Sequence, residues 1–174
     1  MKRRVWLIGG AGVAAAAAGL GWRGWHETRR AAEFDAATGG LWGKRFERPG
    51  GGELVMARWR GQPLVVNFWA TWCPPCVKEM PQIDRFQREF GARGWQVLGL
   101  AVDRRGPVNE FLARSPVSYT IAMAGFDGTD LSRRLGNASG ALPFTAVFGR
   151  DGLVAHRKLG ETSFDELARW AGTV

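Results

Sequence analysis

The feature that most constrains the fold is the position of the two cysteines, Cys73 and Cys76, between a predicted strand and a predicted helix. Residues 63–70 (PLVVNFWA) form a nearly continuous apolar run, which is typical of a central strand covered on both faces. Residues 80–90 carry apolar side chains at helical spacing, and Pro74 suits the first turn of a helix that starts directly after Cys73. The chain is therefore predicted to turn from strand to helix at its two cysteines.

The region from residue 39 onward is predicted to fold as one α/β domain. Residues 41–47 and 53–59 are predicted to pair as an N-terminal hairpin, and Asp151-Gly152 is a strong signal for a second hairpin. Strands that alternate with helices and finish in a hairpin predict a mixed central sheet with helices on both faces. Further strands are predicted at residues 95–102, 117–122, 144–148 and 153–158, and further helices at 108–114, 129–135 and 163–170. Thr129 and Ser163 are predicted to cap the last two of these helices.

The first 22 residues have the pattern of a signal peptide or a membrane anchor. Residues 2–4 (KRR) precede an uncharged run over residues 5–22, and a membrane-spanning helix needs about 20 such residues. A basic flank favours a cytoplasmic N-terminus, which would place the rest of the chain in the periplasm or another extracytoplasmic space. An Ala-rich helix buried in the domain is the alternative, but the five glycines of the run disfavour it.

We expect this segment to be retained as an anchor in the inner membrane. Cleavage is the alternative, because residues 3–7 (RRVWL) resemble a twin-arginine export signal. The predicted organisation is a signal or anchor segment over residues 1–22, a polar spacer over 23–38 and a folded domain over 39–174.

Composition excludes several other classes of protein. The net charge is +8, but the basic residues are spread along the chain and interleaved with acids, so we expect a solvated surface and no nucleic-acid partner. A disulfide-rich secreted scaffold has more cysteines than two. A structural zinc site needs four ligands, and neither His26 nor His156 has ligand spacing to the cysteine pair, so we expect no metal.

Two cysteines three positions apart at the start of a helix are suited to thiol–disulfide exchange. The positive end of the helix dipole stabilises a thiolate at Cys73, and the thiolate is the attacking species. Cys73 would form a mixed disulfide with a partner, and Cys76 would resolve it. The same steps run in reverse would oxidise a dithiol. No cofactor is needed beyond the redox-active disulfide, and an inert disulfide or a buried thiol pair is the alternative interpretation.

The segment over residues 67–81 (NFWATWCPPCVKEMP) resembles the active site of the TlpA/ResA-like thioredoxin-fold proteins, which are extracytoplasmic, membrane-tethered disulfide reductases. The resemblance extends from residue 39 to the C-terminus and implies a thioredoxin-like domain. Residues 141–145 (ALPFT) match the loop that carries the cis-proline of the family. The resemblance implies that Pro143 is cis and packs opposite the cysteines, and that Leu142 offers its backbone to a substrate.

Three further side chains are predicted to belong to the site: Glu79, Trp72 and Pro74. Thioredoxins carry a buried Asp at the position of Asn67, and an Asn cannot accept the proton of the resolving cysteine. Glu79 lies one helical turn after Cys76 and is predicted to exchange that proton, although it would also complement the helix dipole if it had no such role. Trp72 and Pro74 flank Cys73 and are expected to form part of the exposed surface that contacts substrates, whereas Trp69 is expected in the core.

The sequence therefore predicts an enzyme that reduces protein disulfides outside the cytoplasm. The resemblance implies haem-site cysteines of apocytochrome c or other exported proteins as substrates, and a membrane thiol transporter as the electron donor. We expect a monomer. Two alternatives stay open: an oxidant of the same fold, because the Pro-Pro pair at residues 74–75 does not decide the direction, and a non-catalytic thioredoxin-like adaptor.

Overall fold

The computed structural model describes residues 22, 23 and 25–174. The predicted signal or anchor segment lies outside the described residues except for Trp22. Residues 25–37 form helix α1. Among the described residues, no helix has the length and apolar character needed to cross a membrane. The described residues up to Asp35 belong to one compact unit and Ala36–Val174 to another.

The second unit has a mixed sheet flanked by helices, as predicted. Its strands are β1 (Arg45–Glu47), β2 (Glu53–Val55), β3 (Leu64–Trp69), β4 (Gln96–Ala101), β5 (Thr120–Met123), β6 (Phe144–Phe148) and β7 (Val154–Leu159). Its helices are α2 (Pro74–Phe90), α3 (Arg105–Arg114), α4 (Gly128–Arg134) and α5 (Phe164–Ala171). Within residues 25–174 the strands form one sheet in the order β2-β1-β5-β4-β3-β6-β7.

The connections place the cysteine helix and its neighbours on one face of the sheet. Strands β3, β4 and β5 are parallel and successive, so right-handed crossovers put α2 and α3 on the same side. One hydrophobic cluster accordingly contains Met80 of α2, Val108 of α3 and Leu167 of α5. Each large apolar side chain that is fully buried there contributes about 1.5–3 kcal/mol to the free energy of unfolding.

The predicted N-terminal hairpin is confirmed, with shorter strands than expected. Phe46 of β1 lies opposite Leu54 of β2, and both side chains are buried. Residues 41–43 and 56–59, which the pattern assigned to the strands, form short 3-10 turns. Strand β1 also pairs with β5 through Glu47 and Met123, so the hairpin extends the main sheet.

The two predicted helix caps have different outcomes. Ser163 caps α5, because its hydroxyl oxygen accepts a hydrogen bond from the N–H of Glu166 at 3.3 Å. The prediction that Thr129 caps α4 is wrong, since the helix begins at Gly128 with Asp127 as the preceding residue. A Cβ at Gly128 would lie 2.6 Å from the Cβ of Ala124, so the helix start sits closer to the end of β5 than a larger residue would allow.

Gly99 lies beside Asn67 in the parallel ladder, and a side chain at this position has no room. A Cβ there would lie 2.5 Å from Cδ1 of Ile121 and 3.0 Å from Cε2 of Tyr119. We expect Gly99→Ala to lower the free energy of unfolding by about 1–3 kcal/mol through overpacking, measured by urea denaturation. The control is Gly43→Ala in the 3-10 turn at residues 41–43, an exposed position without a positive φ, where nothing lies within 4 Å of the added Cβ. A Gly99→Ala variant as stable as the wild type would contradict this packing.

Candidate active site

Cys73 and Cys76 form a disulfide at the point where β3 leads into α2. Their Cα atoms are 5.3 Å apart, and Cys73 occupies the N-cap position of the helix. The Cys73 residue is 5% exposed, whereas Cys76 is completely buried. Of the two cysteines only Cys73 has any exposed surface, as its predicted role of first nucleophile requires.

The start of α2 is arranged to stabilise a negative charge on Cys73. Pro74 and Pro75 have no N–H groups, and the N–H of Val77 donates to the carbonyl of Cys73 at 3.2 Å. The first residue of the helix with an N–H that could donate to the Cys73 sulfur is therefore Cys76. The helix has 17 residues, and the positive end of its dipole also favours a thiolate at Cys73 in the reduced protein.

Glu79 is buried one turn further along α2, at 2% exposure. Its Oε1 accepts a hydrogen bond from Nδ2 of Asn67 at 2.7 Å, and its Oε2 accepts one from the N–H of Thr162 at 2.6 Å. Both carboxylate oxygens are thus held by donors from two different parts of the chain. The Glu79 side chain is therefore held inside the protein, whereas a glutamate that only complemented the helix dipole would extend into solvent.

Burial raises the pKa of Glu79 from 4.5 to about 7. The hydrogen bonds from Thr162 and Asn67 oppose the increase, the negative charge of Glu161 adds to it, and the positive charge of Lys158 opposes it. A carboxyl group with this pKa can take up and release a proton near neutral pH, which is the property required of a general base for a thiol.

The partners of Glu79 belong to a small buried polar network that the sequence analysis did not predict. Asn67 lies directly opposite Thr145 across the β3–β6 ladder and donates to its hydroxyl at 3.1 Å. The hydroxyl of Thr162 also donates to that of Thr145 at 3.1 Å. The Oδ1 atom of Asn67 is buried without a hydrogen-bond partner. Thr145 could have been identified from the sequence by its position two residues after Pro143. Its side chain points to the same face of the sheet as that of Asn67.

The second half of the site is the loop before β6. The Leu142–Pro143 peptide bond is cis, as the resemblance implied. Leu142 packs against the hydrophobic cluster that contains both cysteines. No hydrogen bond to the main chain of Leu142 is found within residues 25–174, so its N–H and carbonyl groups are available to a partner.

The surface beside Cys73 is apolar, and hydrogen bonds hold the turn that carries it. Trp72 is 63% exposed, whereas Trp69 is fully buried, as predicted for both. Asp103, which follows β4, accepts hydrogen bonds from the N–H of Thr71 at 2.9 Å and from its hydroxyl at 2.6 Å. These bonds fix the turn that carries Trp72. The sequence analysis missed Asp103, although residues that follow adjacent parallel strands meet at one edge of the sheet.

Comparison with known proteins gives a consistent family assignment. A model of the Redoxin family matches residues 46–169. Thiol-disulfide oxidoreductase ResA of Bacillus cereus (strain ZK / E33L) is 28% identical over 119 residues, which cover 67% of this chain and 66% of ResA. Thiol:disulfide interchange protein DsbE of Vibrio cholerae is 30% identical over 105 residues, which cover 60% of this chain and 53% of DsbE. The matched region thus spans 66% or less of the length of these two relatives.

Solved structures show the same fold. A thioredoxin family thiol:disulfide interchange protein of Chlorobium tepidum TLS matches with a TM-score of 0.65 at 25% identity, covering 75% of this chain and 91% of that chain. The structure of MTB dsbF matches with a TM-score of 0.66 at 25% identity, covering 76% of this chain and 96% of that chain. The predicted thioredoxin-like fold and the resemblance to TlpA/ResA-like proteins are confirmed.

Proposed function

This chain belongs to the Redoxin family, and we propose that it is a thiol–disulfide oxidoreductase that reduces disulfides of other proteins outside the cytoplasm. The observation that carries the proposal is the placement of the Cys73–Cys76 disulfide at the start of α2 with buried Glu79 one turn away. The names of the relatives, ResA and DsbE, support thiol–disulfide exchange as the reaction.

In the first step, the Cys73 thiolate of the reduced enzyme attacks one sulfur of a substrate disulfide. The substrate S–S bond breaks, a Cys73–substrate bond forms, and the second substrate sulfur leaves as a thiolate that takes up a proton. The exposed Trp72 ring and Pro74 provide apolar contact beside Cys73. The free backbone groups of Leu142, held next to cis-Pro143, pair with the substrate chain as a short strand would.

In the second step, Cys76 resolves the mixed disulfide. The Cys76 thiol gives its proton to the Glu79 carboxylate, and the resulting thiolate attacks the Cys73 sulfur. The Cys73–substrate bond breaks and the Cys73–Cys76 disulfide forms. The substrate sulfur that was bound to Cys73 leaves as a thiolate that takes up a proton, while Glu79 returns its own proton to solvent, so the substrate is released as a dithiol. Two electrons pass from enzyme to substrate, so a dithiol donor must then reduce the enzyme again.

The direction, location and partners follow from the same proposal. A reductant outside the cytoplasm needs a membrane thiol transporter as its electron source, and an N-terminal anchor over residues 1–22 would keep it close to one. Exported proteins with reducible cysteine pairs, including the haem-site cysteines of apocytochrome c, are the proposed substrates. Domain limits of 23–38 for the spacer and 39–174 for the thioredoxin-like domain complete the proposed organisation.

The direction is tested by comparing two assays with the purified chain. In the first, the protein is added to insulin with dithiothreitol, and insulin reduction is followed by turbidity. In the second, it is added as the disulfide to reduced ribonuclease, and recovery of ribonuclease activity is followed. The proposal predicts strong acceleration in the first assay and little in the second. The reverse result would identify an oxidant, and no acceleration in either would favour a non-catalytic adaptor.

A further inference from the structure

We propose that Asn137 is a positioning residue that shapes the substrate-binding loop at residues 137–142. The proposal rests on the proposed function, because it concerns how the main chain of Leu142 is presented to a protein substrate. Asn137 follows α4 and is 2% exposed, although it lies in a surface loop whose next two residues are exposed. An Asn buried in this way must have its polar atoms satisfied inside the protein.

Both polar atoms of the Asn137 side chain form hydrogen bonds with the loop that follows it. Its Nδ2 donates to the carbonyl of Ala141 at 2.8 Å and to the hydroxyl of Ser132 at 3.2 Å. Its Oδ1 accepts from the N–H of Gly140 at 3.2 Å and from the hydroxyl of Ser139 at 3.1 Å. The loop is therefore wrapped around one amide group, and Ser132 attaches that amide to α4.

These bonds determine which backbone groups reach the site. The carbonyl of Ala141 is directed to Asn137 and is not available to a substrate. The next residue, Leu142, has main-chain groups without a partner within residues 25–174 and is followed by cis-Pro143. The Asn137 amide thus sets the orientation of the peptide units just before the ones that would pair with the substrate chain.

Close packing at Gly140 holds the loop in this place. Gly140 has a φ of +70°, and a Cβ there would lie 2.7 Å from Cγ2 of Thr129 and 3.1 Å from Nε of Arg133. The loop therefore rests directly on α4 at a position that only glycine tolerates. Asn137 has no hydrogen bond to either cysteine or to Glu79, so its loss should alter substrate binding without changing the redox chemistry.

The test is Asn137→Asp in the full chain. The carboxylate can still accept from Gly140 and Ser139, but it loses both donated bonds and places a negative charge against the carbonyl of Ala141. We expect kcat/KM for insulin reduction to fall about tenfold, mainly through a higher KM. Hydroxyethyl disulfide is too small to pair with the loop, so its reduction rate should change less than about twofold. The equilibrium constant of the Cys73–Cys76 pair with glutathione should also change less than about twofold.

Two further variants complete the test. Asn109→Asp makes the same chemical change at an exposed position of α3 and should leave all readouts unchanged. Asn137→Ser keeps an acceptor for Gly140 but cannot reach Ala141, and it provides a second measurement if the Asp variant does not fold. Equal losses with insulin and hydroxyethyl disulfide, or no loss with either, would overturn the role of Asn137. An inactive wild type would instead overturn the proposed function and this inference with it.

Discussion

Cys73→Ser is expected to abolish disulfide reduction, with kcat/KM for insulin falling more than about 1,000-fold. A serine hydroxyl is almost fully protonated at neutral pH and cannot replace the thiolate. Cys76 cannot take over the attack, because its side chain is completely buried behind Cys73. The matched variant, Cys76→Ser, should attack normally and then accumulate the mixed disulfide, since nothing resolves it.

Non-reducing gels and mass spectrometry of the two variants with insulin distinguish the roles. The covalent adduct should appear with Cys76→Ser and be joined through Cys73, and it should be absent with Cys73→Ser. Circular dichroism serves as the control that both variants fold. An adduct on Cys76 in the Cys73→Ser protein would mean that the order of attack assigned here is reversed.

Glu79→Gln is expected to slow resolution of the mixed disulfide about 100-fold at pH 7. Glutamine cannot accept the proton of Cys76, so the thiol must lose it to water. In the wild type, the rate should rise as pH increases through about 7, where Glu79 ionises. In the variant, this rise should move to higher pH, towards the range of the thiol itself. Rapid mixing of the reduced enzyme with a fluorescent disulfide peptide at pH 5–9 gives both profiles.

The same carboxyl group should make stability depend on pH. Burial raises the pKa of Glu79 from 4.5 to about 7, so between these values the folded protein binds more protons than the unfolded chain. Stability from this group is present below pH 4.5 and is lost as pH rises through about 7. The free energy of unfolding of the oxidised wild type should fall relative to Glu79→Gln by about 3 kcal/mol over that range.

The matched control for both measurements is Glu89→Gln on the same helix. Glu89 is exposed and pairs with Arg85, and it should change neither the resolution rate nor the pH dependence of stability. A Glu79→Gln protein with the wild-type rate profile would show that Glu79 is not the base. The isosteric change is expected to preserve the fold, because the Asn67 amide can rotate to present its unpaired Oδ1 to the new side-chain amide.

The sheet and the position of the cysteines were predictable because their signals are local. The apolar run before Cys73 became β3 at Leu64–Trp69, and the helical stripe after it became α2, which ends at Phe90. The second hairpin follows from Asp151-Gly152, whose turn needs a residue with positive φ, and Gly152 has a φ of +81°. The cis state of Pro143 came from the family resemblance alone.

The polar contacts that complete the site were not predictable, because they join residues far apart in the chain. Glu79 and Thr162 are 83 positions apart, and Thr71 and Asp103 are 32 apart. Nothing in the residues around Asn137 distinguishes a buried amide that binds four groups from an exposed loop residue. Such contacts depend on strand register and loop path, which a pattern of apolar residues does not specify.

The most direct test of the central claim is the reduction potential of the Cys73–Cys76 pair in the purified chain. Equilibration with glutathione or thioredoxin buffers, followed by alkylation and mass spectrometry, gives the fraction that is reduced. A reductant is predicted to have a potential near that of thioredoxin, about −270 mV. A potential near about −120 mV, as in a strong periplasmic oxidant, would contradict the proposed direction and identify a disulfide donor.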